Sequence, residues 1–298
     1  MTSAWPGDSV TVVHWVRSAL RRAAQDSGEI ALNGIDDIEV SAALTGYDLE
    51  HLTLDATGTK LTLGWNAPPM PTDPVTNAPV AEDTPEPEIV TRQPGIVKNF
   101  RFSARPMRIE RSPLSIDVQA FDVPIVWLTA AEPAAPGVPE SIHSLVPDDD
   151  QGGMRGTFHA AIATKDLVPL ITSVARPMLR EGGIHLGRLR LEVVRDGADG
   201  IRVTAYAGVR WKLLMASARA EARIEVTKDA VVTVRDLTLG SRNPLVKFAL
   251  LFARKHVRSV VGRRIDLNET IAEDGANLRL HDVRIGTGEQ LSVEGRFG

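Results

Sequence analysis

The stretch best equipped for chemistry runs from Leu239 to Ile265. It holds seven cations and no acid: Arg242, Lys247, Arg254, Lys255, Arg258, Arg263 and Arg264. The same stretch supplies Leu245, Val246, Phe248, Leu250, Leu251, Phe252, Val257, Val260 and Val261. The apolar residues cover a broad arc, and the cations crowd toward the C-terminal end. Apolar surface beside local positive charge is what an acyl chain with an anionic headgroup requires. A core helix whose basic end complements its own dipole accounts for the same pattern. A second unusual stretch is Trp211-Lys212-Leu213-Leu214-Met215, which is continuous rather than alternating. It fits either a strand buried on both faces or a strand or tip that faces a lipid cavity or membrane.

Other chemistries find little support. The chain has no cysteine, which excludes disulfides, thiolate zinc sites and thiol nucleophiles. None of the seven histidines stands in a metal-ligand spacing such as HExxH. GxSxG, GxxxxGK[ST] and GxGxxG patterns are absent. Asp36-Asp37 opens a strand and Asp148-Asp149-Asp150 lies in a linker, so both read as solvated charge. No catalytic residue, metal or cofactor is expected. Carboxylate pairs assembled only by folding would leave an enzyme without a recognisable motif as a third reading. Nucleic acid is not an expected partner, because basic and aromatic residues are not interleaved and the chain as a whole is acidic.

The elements that must position these residues follow from periodicity. Asn243 to Val261 has helical spacing, with Ser241 or Asn243 as cap and Pro244 at the first position. Such a helix is ~27 Å long at ~1.5 Å per residue. Asp8 to Gln25 reads as a helix that Asp8 or Ser9 can cap, with Val12, Val13, Val16, Leu20 and Ala23 on one face. Thr164 to Arg180 reads as another, capped by Thr164 with Asp166 in its first turn. Leu167, Leu170, Ile171, Val174 and Met178 form its stripe, and Pro177 is expected to kink or end it.

Most of the remainder alternates with period 2, as half-buried strands do. Examples are Glu39–Leu44, Leu52–Asp55, Leu61–Leu63, Phe100–Phe102 and Ile116–Val118. The second half adds Leu189–Val193, Ile201–Val203, Ile224–Val226, Val232–Val234, Leu278–Leu280 and Leu291–Val293. Asp196-Gly197, Asp199-Gly200 and Gly286-Thr287-Gly288 mark tight connections. Short turns between alternating strands imply antiparallel meanders. Two Pro-rich acidic stretches interrupt them, at 66–94 with eight prolines and at 132–153 with four. Proline cannot serve a central strand, so both read as loops. The remainder reads as one β-rich domain over 1–298.

The formal net charge of -4 conceals an asymmetry. Residues 1–153 carry a net -12 and residues 154–298 a net +8. The acidic loops account for much of the first value and for none of the second. A basic half implies an anionic partner or mutual docking of the halves. No uncharged apolar run reaches the ~18 residues that span a bilayer. Met1 to Gly7 carries no positive charge and Arg17, Arg21 and Arg22 interrupt the apolar residues after it, so a secretory signal is not evident. The expected location is the cytoplasm, with the inner membrane face as the surface for peripheral contact.

Four stretches together resemble a known family. They are TKDLVPLITSVARPML, then IHLGRLRLEVVRDGADGIRVTAYAGVRWKLLMASARAEARIEVTKDAVVTVRDLTL, then NPLVKFALLFARKHVRSVVG, then ANLRLHDVRIGTGEQLSVEGRFG. ALNGIDDIEVSAALTGYDLEHLTLDATGTKLTL in the first half supports them. The pattern resembles the actinobacterial LmeA-type phospholipid-binding proteins, which are related to the tubular lipid-binding (TULIP) superfamily. The resemblance implies an α+β fold in which a long, highly curved antiparallel sheet wraps around amphipathic helices. It also implies a hydrophobic groove for acyl chains and non-enzymatic binding, transport or membrane-surface association. The long Pro-rich inserts and the lack of an export signal depart from the family.

The residues expected to line the apolar site are Ile171, Val174, Met178, Trp211, Leu213, Met215, Leu245, Phe248, Leu251 and Phe252. Those expected at the headgroup are Arg254, Lys255, Arg258, Arg263 and Arg264. Arginine suits phosphate because its planar fork donates in pairs. The alternative is a scaffold or assembly protein that presents helix 243–261 to a partner.

Overall fold

The structure is a computed structural model that describes residues 5–26, 31–64, 88–133, 139–148, 153–181, 184–197, 199–211, 214–241, 261–262, 264–273 and 278–298. The chain divides into two compact units. The first comprises Met1–Ala104 and Gln119–Arg155, the second Arg105–Val118 and Gly156–Gly298. The described residues are mostly strand with few helices, arranged in two open sheets.

The first unit opens with α1 (Ser9–Asp26). Asp8 caps it by accepting the Thr11 N–H at 2.8 Å. That backbone bond also holds the Asp8 carboxyl below the ordinary carboxylate range. The buried face of α1 carries Val12, Trp15, Val16 and Ala24, whereas Ala23, expected on the stripe, is exposed. Next come β1 (Ala31–Asn33), a 3-10 turn at Ile35–Asp37, β2 (Glu39–Thr45), β3 (Asp48–Asp55) and β4 (Lys60–Gly64). Most of β5 (Ile89–Ile109) and β6 (Ser112–Ala130) follows, then β7 (His143–Pro147). The order is β1-β4-β5-β6, with the β2–β3 hairpin on β5 and β7 on β6.

Four expectations need correction in this unit. Asp36-Asp37 lies in a 3-10 turn ahead of β2 rather than in the strand. The loop expected over 66–94 yields to β5, which begins at Ile89 and includes Pro94. Pro94 precedes the pairing of β5 with β3, which starts at Val97, so β3 does not call on its missing N–H. The loop expected over 132–153 contains β7, whose Leu145 packs against the core opposite Trp127. The β3–β5 pairing is parallel, an exception to the expected meander. A long connection through β4, rather than a tight turn, permits it.

The core of this unit gathers Val12, Trp15 and Val16 of α1 against Val40, Leu49, Leu52, Val97, Ile125 and Trp127. Trp127 is fully buried, and its Nε1 donates to the Tyr47 carbonyl at 2.8 Å. Gly95 makes room for this contact, because a Cβ there would lie 2.2 Å from the Tyr47 oxygen. Trp5 meets Trp15 and Trp127 edge-on and stacks on His143 at 4.4 Å. Burial holds the His143 pKa below its ordinary value. A neutral ring is thus favoured by folding. The associated stability is complete above the unfolded histidine value of ~6.5 and declines as pH falls through the lowered folded value. His143→Phe should flatten the stability–pH curve of this unit below pH ~6.5, read by urea unfolding at several pH values.

The second unit contains the β5–β6 tip, β8 (Arg155–Ala163), α2 (Thr164–Glu181), β9 (Ile184–Arg195), β10 (Gly200–Trp211) and β11 (Leu214–Val226). β12 (Val231–Ser241), β13 (Arg264–Asp266), α3 (Leu267–Glu273), β14 (Leu280–Gly286) and β15 (Gln290–Phe297) complete it. One sheet runs β6-β8-β15-β14, the other β13-β12-β11-β10-β9. Val226, Ala230 and Val283 form the buried centre, with Phe158, Ile224, Val232, Leu267 and Leu280 packed around them. The Asn268 side chain fixes α3 by accepting the Leu280 N–H at 2.6 Å and donating to the Asp229 carbonyl at 3.1 Å.

Here too the periodicity needs amendment. α2 continues through Pro177 to Glu181. Only one intrahelical donor is lost there, in the last turns, and the helix tolerates it. Thr164 is the first helical residue rather than a cap, and its hydroxyl donates to the Gly288 carbonyl at 2.8 Å. The strand expected from Leu278 begins at Leu280. The third helix expected from the sequence, 243–261, lies outside the described residues except for Val261, which is in a turn.

Candidate functional site

The five-stranded sheet has two faces of opposite character, set by alternation along each strand and interrupted by bulges in the β9–β10 and β11–β12 ladders. Register places Leu189, Leu191 and Val193 of β9 opposite Ala207, Ala205 and Val203 of β10. Those three stand opposite Ala218, Ala220 and Ala222 of β11. Ala222 stands opposite Leu237 of β12, and Ile224 opposite Val234. All these side chains therefore share one face, and all are partly buried. The middle strands contribute a floor of alanine, while β9 and β12 contribute leucine and valine walls. Strands lie ~4.8 Å apart, so the walls stand roughly 14 Å apart across the floor. The result is an apolar trough along the strands. At one end it meets Ile224 and Val232, which pack into the core.

The opposite face is charged and internally paired. Arg202 and Arg223 reach Asp196 at 3.0 and 3.2 Å. Arg219 meets Glu221 at 2.7 Å, and Arg235 meets Glu225 at 2.6 Å. Each exposed pair adds little stability. Together they mark this face as the solvent face, with Arg202, Arg219, Arg223 and Arg235 each beside a carboxylate.

α2 packs against β9, at one wall of the trough. Between them and the β5–β6 tip lies a cavity of about 590 Å³. Arg111 comes from the tip, Arg176 from α2 and Arg188 from β9, with Thr172 and Leu189 beside them in the lining. None of the three arginines is in an ion pair among the described residues. Leu189 belongs to both features, as cavity lining and as trough wall. A separate cavity of about 1080 Å³ is lined by Arg235, Arg264 and Arg279 together with Asp229, Asp266 and Glu269. Its charges are mixed, and Arg264 lies 3.9 Å from Asp266.

The residues singled out in sequence are distributed unevenly. Ile171 is on α2 and 41% exposed. Val174 and Met178 lie on the same helix, but their side chains fall outside the described set. Trp211 and Met215 sit where β10 turns into β11, Arg210 pairing with Met215 and Trp211 with Leu214. Their side chains, and all of Leu213, also fall outside the described set. Leu245, Phe248, Leu251, Phe252, Arg254, Lys255, Arg258 and Arg263 likewise lie outside the described residues. Arg264 is exposed on β13.

Sequence reasoning missed the alanine floor and the three cavity arginines. The floor had a signal, the alternation Ala216-Ser217-Ala218-Arg219-Ala220-Glu221-Ala222-Arg223. The arginines had none, since they lie 65 and 12 residues apart in the chain. Among the described residues no cluster of His, Asp or Glu could hold a metal ion. No described helix is long and apolar enough to cross a membrane. No family model, no curated protein and no solved structure matches the chain.

Proposed function

We propose that the protein binds acyl-chain lipid without catalysis and that the trough between β9 and β12 receives the chain. The observation that carries this reading is the alanine-floored face, whose side chains are neither exposed nor sealed into a core. Protein cores are close-packed by interdigitating side chains of mixed size. A floor of methyl groups between taller walls leaves room that its own side chains do not fill. A lipid chain fits the chemistry, because each buried methylene contributes ~0.8 kcal/mol. In this reading the five-stranded sheet curves around helical segments as the TULIP resemblance implies. Phospholipid is the expected lipid class, and cytoplasmic lipid transport with peripheral membrane contact is the expected setting. The test is titration with a fluorescent fatty acid, followed by displacement with phospholipid. Saturable uptake that phospholipid reverses supports the reading. No uptake removes it in favour of a scaffold that presents its apolar surface to another protein.

A further inference from the structure

We infer that the cavity bounded by Arg111, Arg176 and Arg188 is a binding site for a phosphate group. Three separate elements, the β5–β6 tip, α2 and β9, each contribute one arginine to the lining of the same space of about 590 Å³. Guanidinium groups bond phosphate oxygens in pairs, and three of them can surround one tetrahedral anion. On the neighbouring sheet face four arginines are already paired. Arg202, Arg219, Arg223 and Arg235 each have a carboxylate within 3.2 Å. The cavity arginines lack such partners among the described residues. The carboxylate on the rim, Glu110, is already engaged in an interaction of its own. Thr172 lies among the lining residues and brings a hydroxyl donor.

Position adds to chemistry. Leu189 lines the cavity and stands in the β9 wall of the trough. A phosphate held by the arginines would thus lie beside the place proposed for an acyl chain, as the two ends of one phospholipid require. This deepens the lipid reading and rests on it for the source of the phosphate, though not for the presence of the site. It adds a phosphate site at three residues scattered through the sequence to the basic stretch 254–264 expected at the headgroup.

The experiment uses the full chain and the triple variant Arg111→Gln/Arg176→Gln/Arg188→Gln. All three positions are exposed, so far-UV circular dichroism should be unchanged. The wild type should sediment with phosphatidylcholine vesicles that contain phosphatidic acid better than with phosphatidylcholine alone. The variant should lose roughly tenfold or more of that preference. Calorimetry with inorganic phosphate separates the sources. Binding of free phosphate assigns the site to soluble phosphate compounds as well, and binding only to vesicles assigns it to lipid headgroups. A variant-free measurement stands beside these: phosphate or phosphatidic acid should protect Arg176 and Arg188 from phenylglyoxal. The inference is overturned if neither phosphate probe binds, or if the variant matches the wild type. Phosphate binding without uptake of neutral diacylglycerol keeps the site and removes the lipid reading. Diacylglycerol uptake without phosphate preference does the reverse.

Discussion

Trp127→Ala should destabilise the first unit by about 3–5 kcal/mol, the range for truncating a buried tryptophan. Two losses combine. The indole fills the centre of the core, with no exposed surface and Trp5 edge-on at 5.3 Å. Its Nε1 also satisfies the Tyr47 carbonyl, which would be left without that donor. Neither gap closes easily, because β7 and β5 flank the site through fixed backbone ladders. Chain-wide unfolding need not be two-state with two units. The effect should therefore emerge as an early urea transition by far-UV circular dichroism, with a later transition preserved for the second unit. A shift below about 1 kcal/mol would show that Trp127 is not a core residue.

Ala205→Phe combined with Ala220→Phe should reduce fatty-acid affinity by about 100-fold or more. The two positions face each other across β10 and β11 at the middle of the floor. Two phenyl rings there would displace at least about four methylenes of a bound chain, a loss of about 3 kcal/mol at ~0.8 kcal/mol each. Phenylalanine favours strands, and both sites are only partly buried, so the sheet should persist. Ser217→Phe supplies the control, since Ser217 projects from the opposite, charged face and is exposed. It should leave uptake unchanged. Equal uptake by the floor variant and the wild type would place the chain elsewhere.

What could be read in the sequence depended on whether a feature was local. Alternation is local, so the strands around Leu189–Val193, Ile201–Val203 and Ile224–Val226 fall within their observed bounds. The cap of α1 was legible for the same reason, because Asp8 and Thr11 are three residues apart. The parallel joining of β3 to β5 was not, since both partners read equally well as meander strands. β7 escaped notice because a proline-rich surrounding outweighs one half-buried Leu145. The candidate site divides the same way. The density of cations over 242–264 stands out in a linear reading and draws the headgroup assignment. The arginines that share a cavity are joined only by the packing of α2 and the β5–β6 tip near β9. Side-chain size along the alanine strands was equally visible in sequence, but its meaning depends on the taller walls that register places on either side.

The most direct measurement is native mass spectrometry of the purified protein, followed by organic extraction and lipid analysis of the same sample. Lipid binding in the trough predicts a stoichiometric adduct that extraction identifies as phospholipid or fatty acid, and its loss in the Ala205→Phe/Ala220→Phe variant. A clean mass for the bare chain, with no adduct gained after incubation with phospholipid vesicles, would contradict it.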